Sequence, residues 1–200
     1  MAKRKKQSGF LITPPVVNRN TWNNPLIDII ETALKGIRLN CENMIAYRYL
    51  LNQSIRQYII PDDNWHLSQA AESLWNSITS HNIREYNYRQ QIICNRANHT
   101  TAKKYQGNSS QGATIKIGKN DSIPFNQLFT AEHMTPVADV IKALEELNNP
   151  SRQDIQDVLD QIHICRVTKE EDKQIQPKYG RGMNLNDILS SSYKNISLKY

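Results

Sequence analysis

Apolar residues recur at helical spacing through the first part of this chain. Leu26, Ile29, Ile30, Ala33, Leu34 and Ile37 fall on one side of a helix. Asn24-Pro25 just ahead of them reads as its start, with Asn as the cap and Pro at the first helical position. Pro14-Pro15 and an Asn-rich run break the pattern before that, so residues 1–24 are expected to be an irregular basic arm. Met44, Ile45, Leu50, Leu51, Ile55, Tyr58 and Ile59 repeat the helical spacing. After a turn at Pro61-Asp62-Asp63-Asn64, Leu67 to Ile78 reads as a third helix with Ala70, Ala71, Leu74, Trp75 and Ile78 on one side. A further helix is expected from Ile83 to Cys94.

The pattern then changes. Gly107, Asn108, Gly112 and Gly118 interrupt the chain, and Ala113 to Ile117 alternates as a short strand. Pro136 to Leu147 is an amphipathic helix with Val137, Val140, Ile141 and Leu144 inward. Asn149-Pro150 stops it, and Ser151 with Asp154 has the spacing of a capping box for the next helix. Ile162 to Val167 alternates again. Ile162, Ile164 and Arg166 fall on one side of that strand, His163, Cys165 and Val167 on the other. Thr168 to Glu171 repeats the capping-box spacing and opens another helix. Tyr179 to Met183 is a loop, and a short helix closes the chain near Asn186 to Leu189. The class is α+β: a helical region over 25–100, then an α+β region over 101–200, with a boundary expected between residues 95 and 125.

At 200 residues and 38% hydrophobic, the chain can bury a real core. Its charge of +6 draws anionic partners, nucleic acid first and an anionic membrane surface second. Cys41, Cys94 and Cys165 form no close pair, which argues against a zinc site or disulfide framework and for a reducing, cytoplasmic setting. No apolar run is long enough to cross a bilayer. The basic start Lys3-Arg4-Lys5-Lys6 lacks a following apolar core, so it is not a secretory signal. It fits a phosphate-binding arm or a solvated terminus. Neither a glycine-rich phosphate loop nor a nucleophile elbow is present.

Glu132 and His133 end the run Phe129-Thr130-Ala131 and precede Met134-Thr135-Pro136. A carboxylate beside a histidine sets a hard-metal ligand next to a general base. The strand at 162–167 leads into Glu170-Glu171-Asp172, which could carry a second oxygen ligand to the same place. Phosphodiester cleavage needs an activated water, a neutralised phosphate and a stabilised leaving oxygen. One Mg²⁺ or Mn²⁺ with a histidine base can meet all three. The bland alternative makes Glu132 and Glu170 to Asp172 ordinary acidic helix starts. His163 and Cys165 read as structural.

Glu132-His133-Met134-Thr135-Pro136 and Val167 to Asp172 resemble the first and last motifs of the HNH, or ββα-metal, nuclease superfamily. The resemblance implies a metal-dependent DNA endonuclease, of restriction-enzyme type. Glu132 would be a metal ligand, His133 the base, and Asp172 or Glu171 the second ligand. The chain departs from the pattern with Glu in place of Asp, a helical insertion between the motifs, and no evident central Asn.

Arg84, Arg89, Arg96, His99, Lys103, Lys104 and Tyr105 form a second concentration of basic and aromatic groups. With Lys116, Lys119 and Arg181 they are the expected contacts to DNA. Two other readings use the same chain: a non-catalytic helical nucleic-acid-binding or regulatory protein, and a partner-binding protein whose helices at 25–60 dimerise. A palindromic DNA target would itself favour a homodimer.

Overall fold

The computed structural model describes residues 18–39, 42–78 and 128–199, and the backbone of 114–116 and 122–124. The expected helix at 83–94 and the basic residues Arg84, Arg89, Arg96, His99, Lys103, Lys104 and Lys119 lie outside them.

Helix α1 (Arg19–Arg38) starts earlier than its apolar pattern suggested, and Pro25 lies inside it. Asn18 is the cap, its side chain accepting from Thr21 N at 3.1 Å. Tertiary bonds hold the added turn. Trp22 Nε1 donates to Gln57 O at 3.0 Å. Asn23 exchanges two bonds with the Ile59 backbone, at 2.8 and 2.9 Å. Arg19 donates to Ile59 O at 2.9 Å and pairs with Asp160. Tyr58 Oη donates to the same Asp160 oxygen at 2.5 Å. These contacts offset the backbone bond that a proline inside a helix removes.

Helix α2 (Met44–Gln57) turns Leu51 and Ile55 inward and leaves Ile45 and Leu50 exposed. Tyr58, Ile59 and Ile60 follow it as a buried extended segment. The two helices pack closely: a Cβ on Gly36 would sit 2.5 Å from the Tyr47 ring.

The third helix begins later than expected. Trp65–Ser68 is strand β1, and helix α3 (Gln69–Ile78) follows, with Ser68 Oγ accepting from Ala71 N at 3.0 Å. Strands β2 (Thr114–Lys116) and β3 (Ser122–Pro124) form an antiparallel pair, in line with the alternation read there. Then come β4 (Phe129–His133), α4 (Val137–Glu146), α5 (Arg152–Leu159), β5 (Ile164–Thr168), α6 (Lys169–Gln174), α7 (Leu185–Ser191) and β6 (Leu198–Lys199). Both expected capping boxes form, Ser151 with Asp154 and Thr168 with Glu171.

The class is α+β. The main sheet has the order β4-β5-β1-β6, with β4 and β6 antiparallel to their neighbours and β1 parallel to β5. A strand from the region expected to be helical therefore lies between two strands from the later half. The described parts of both halves share one sheet and one core, across the boundary expected at 95–125. β1 is only four residues long, too short to show a period of its own, and its partner is about a hundred residues away.

Strand alternation gives the sheet two different faces. Trp65, Ala131 and Ile164 pack with Ile30 and Leu34 of α1, Leu51 and Ile55 of α2, and the apolar sides of α4 and α5. On the other face Cys165 and Val167 meet Met134, Ile175, Ile188, Tyr193 and Ile196. β5 is buried on both faces, which is why its sequence is mostly apolar.

Candidate functional site

Many polar groups of the sheet gather on the second face, while His133 and Arg166 fall on the first. Thr168 ends β5 and caps α6. Its neighbour in the capping box, Glu171, does more than cap. One carboxylate oxygen accepts from Thr168 N at 2.9 Å, Thr168 Oγ1 at 3.0 Å and Ser68 Oγ at 2.6 Å. Ser68 is fully buried and belongs to β1. A local helix cap thus also joins the third strand of the sheet.

Glu132, the fourth residue of β4, lies on the same face. Arg181 meets it with two nitrogens, at 3.1 and 3.2 Å, and Tyr193 Oη donates to it. Arg181 also donates to Pro177 O at 2.5 Å and to the carbonyls of His133 and Met134 at 3.1 and 3.3 Å. Its side chain is 0% exposed and that of Glu132 is 10% exposed, so this is a buried ion pair whose hydrogen bonds are largely met. Burial, then the Glu132 charge, pushes the Tyr193 phenol far up. It stays a proton donor at any ordinary pH.

Lys178 joins Glu132 to Asp172. Its ammonium lies 4.0 Å from Glu132 Oε1 and 2.6 Å from Asp172 Oδ1, and it donates to Asp172 O at 2.7 Å. Thr130 Oγ1 donates to the other Asp172 oxygen at 3.4 Å and accepts from Lys169 at 2.8 Å. Two carboxylates, two lysines and an arginine therefore form one connected cluster at the edge strand.

This geometry separates the residues that the motif grouped. Glu132 and Asp172 come together around Lys178. His133 does not join them: successive strand residues point to opposite faces, so it goes with Ala131 toward the helical layer. Glu171 is committed through one oxygen to its cap and to Ser68. Arg181, expected as a phosphate contact, faces inward with every guanidinium nitrogen donating within the protein. Lys116 is in β2. Lys178, Thr130, Ser68 and Tyr193 carried no motif. The loop signal at Tyr179 to Met183 pointed near Lys178, and Thr130 lies in the run just before the Glu132-His133 pair.

A Mg²⁺ or Mn²⁺ ion does not fit the cluster as it stands. Both Glu132 oxygens already meet the guanidinium, and Asp172 meets an ammonium. A divalent cation would have to displace these cations or lie against them. Among the described residues, no group of three or more His, Cys, Asp and Glu side chains converges.

His66 and His163 form a separate pair on this face, with Nε2 of one 2.9 Å from Nδ1 of the other. Burial holds the His163 imidazole below its ordinary value. The Cys165 thiol beside them is pushed far up by burial first and by the Glu171 and Glu132 charges next, so it stays protonated. A groove of about 470 Å³ beside α1, lined by Leu34, Lys35, Arg38, Leu39, Asn149 and Pro150 among others, holds none of these groups. Among the described residues, no helix is long and apolar enough to cross a membrane.

No protein-family model matches this chain, and neither the curated proteins nor the solved structures hold a significant match to it.

Proposed function

We propose that this protein binds DNA through its two basic stretches, 1–17 and 79–113, with the α+β body as their scaffold. Charge segregation carries the reading. Those stretches hold Lys3, Arg4, Lys5, Lys6, Arg84, Arg89, Arg96, Lys103 and Lys104, against a single acid, Glu85. Their excess exceeds the whole chain's +6, so the remainder of the chain is slightly acidic. In the body, cations are largely spent on local acids: Lys35 on Glu31, Arg48 on Glu145, Arg152 on Asp28, Lys199 on Glu72. Phosphate attraction therefore concentrates in the two stretches. The three cysteines, widely separated along the chain, lead us to place the protein in the cytoplasm.

A salt titration of DNA binding tests this. Affinity should fall steeply as salt rises, and replacing Lys103 and Lys104 by Ala should reduce the log–log slope by about 1 for each phosphate left without its lysine. Binding that is indifferent to salt would exclude the reading.

One observation favours a second reading, metal-dependent DNA cleavage of the HNH type. The two acids that the resemblance names as ligands, Glu132 and Asp172, do meet at Lys178, and this reading requires a divalent ion to displace Lys178 and Arg181 from them. Plasmid digestion with Mg²⁺, Mn²⁺ or EDTA, beside His133→Ala and Asp172→Asn, tests it. Metal-dependent cutting that both variants lose supports an enzyme. No cutting in either metal leaves DNA binding alone.

A further inference from the structure

We propose that two copies of this chain associate through the outer face of α2, as an antiparallel pair of helices about a two-fold axis at Tyr49. This contact is independent of nucleic-acid binding.

Helix α2 turns Leu51, Ser54 and Ile55 inward. The face opposite them is apolar at its centre. Ile45 is 84% exposed, Tyr49 64% and Leu50 45%, and Ala46 is exposed beside them. Ile45, Tyr49 and Leu50 are three of the six large hydrophobic side chains that the described residues leave in solvent. Ile45 and Tyr49 are four positions apart, as are Ala46 and Leu50, so these side chains adjoin on the helix surface. Single exposed hydrophobics are ordinary, whereas a contiguous group marks a contact surface.

The ends of this face select the partner. Glu42 stands seven residues before Tyr49, in the turn just ahead of the helix, and Arg56 stands seven residues after it. Seven residues are nearly two helical turns, so Tyr49 and Arg56 lie on one line along the helix. Glu42 and Arg56 are both exposed, and neither has an ion pair among the described residues. Arg56 Nε donates to Asn52 at 2.9 Å, and its two terminal nitrogens make no bond among the described residues. Arg48, the other charged residue of the helix, is turned aside to Glu145 of α4.

A face with an acid at one end, a base at the other and an aromatic ring midway is complementary to its own reverse. When a second copy runs antiparallel, Glu42 of each copy comes opposite Arg56 of the other. Ile45 comes opposite Gln53, and the two Tyr49 rings meet on the axis. A two-fold interface demands this self-matching. The four charges are then neutralised as two pairs at the rim, around an aromatic and aliphatic centre. One face of a helix about 21 Å long is a small interface, so the association is weak and reversible.

Sedimentation equilibrium of the full-length protein, from micromolar to nearly millimolar concentration, tests this. Circular dichroism and urea unfolding compare the folds of the variants. The wild type should pass from monomer to dimer as concentration rises. Ile45→Ser and Tyr49→Ser should each weaken association about tenfold or more. Arg56→Glu sets two like-charge pairs across the axis and should weaken it by about as much. Adding Glu42→Arg should restore association, because the pairs then form in reverse. Association that survives Ile45→Ser and Tyr49→Ser would place the contact elsewhere and overturn the inference. A double charge variant no better than Arg56→Glu would overturn the antiparallel register. A wild type that stays monomeric at every concentration would overturn the dimer outright, and urea unfolding would then separate the other occupants. Serine variants less stable than the wild type would mean that another segment of this chain covers the face. Unchanged stability would leave the face to a different protein.

Discussion

Asp160, Arg19 and Tyr58, where the start of α1 meets the end of α5, use the same three chemical groups as Glu132, Arg181 and Tyr193 beside the sheet. Each is a carboxylate taking a guanidinium and a phenol. They differ in solvent. Arg19 and Asp160 are 32% and 30% exposed, whereas Arg181 and Glu132 are 0% and 10% exposed. Water can replace a missing partner in the first cluster, and far less readily in the second. The first joins the start of α1 to the end of α5 and should contribute modestly. The second would leave a charge without compensation in a low-dielectric setting if broken.

Removing the arginines should separate the two most. Arg181→Met is expected to destabilise by about 3–5 kcal/mol. Arg19→Met should cost about 1 kcal/mol or less once solvent screening is counted. Urea unfolding of both variants measures this, and equal losses would refute the contrast. Adding Glu132→Gln to Arg181→Met should recover part of the loss, because the stranded charge is then gone.

The phenols give a smaller contrast. Tyr193→Phe strands an acceptor in the interior and should cost about 1–3 kcal/mol, whereas Tyr58→Phe should cost about 1 kcal/mol. Both phenols are raised above their ordinary 10, in each case by burial first and the neighbouring carboxylate next. The unfolded chain ionises near 10 and the folded one does not, so each tyrosine's stabilisation is full below that pH and lost as pH rises above it. Unfolding scans into alkali should flatten more for Tyr193→Phe than for Tyr58→Phe.

The two capping boxes extend the comparison. Thr168→Ala disturbs a Glu171 that also holds Ser68 of the sheet, and about 1–2 kcal/mol is expected. Ser151→Ala acts on an exposed helix end, and should cost less in the same unfolding measurement.

The smallest effect is on the acid side. His163 is held below its ordinary 6.5 by burial, so the unfolded chain binds its proton first. Stability should fall as pH drops through 6.5, and His163→Asn should flatten that part of the profile. An unchanged profile would mean that other groups set the acid dependence.

The two capping boxes and the helix at 137–146 were legible because their information is local. A cap needs partners three residues apart, and an apolar stripe needs only its own helix. The start of α1 differs because Asn24-Pro25 is a fair local signal, overridden by bonds from Trp22 to Gln57 at the end of α2 and from Asn23 to Ile59 beyond it. The expected third helix takes in Leu67 and Ser68, the second half of β1, because four residues facing a distant partner carry no period.

Composition and short-range spacing were enough to specify the α+β class, the late helices with their caps, and the uneven placement of positive charge. Assembly of the fold added that Glu132 is neutralised by Arg181 and hydrogen-bonded by Tyr193, residues 49 and 61 positions away. It also brought Asp172 to Glu132 through Lys178 while His133 turned to the opposite face. An adjacent Glu-His pair reads as a unit along the chain. A strand sends neighbours to opposite sides, and what covers each side is set only when the sheet is assembled.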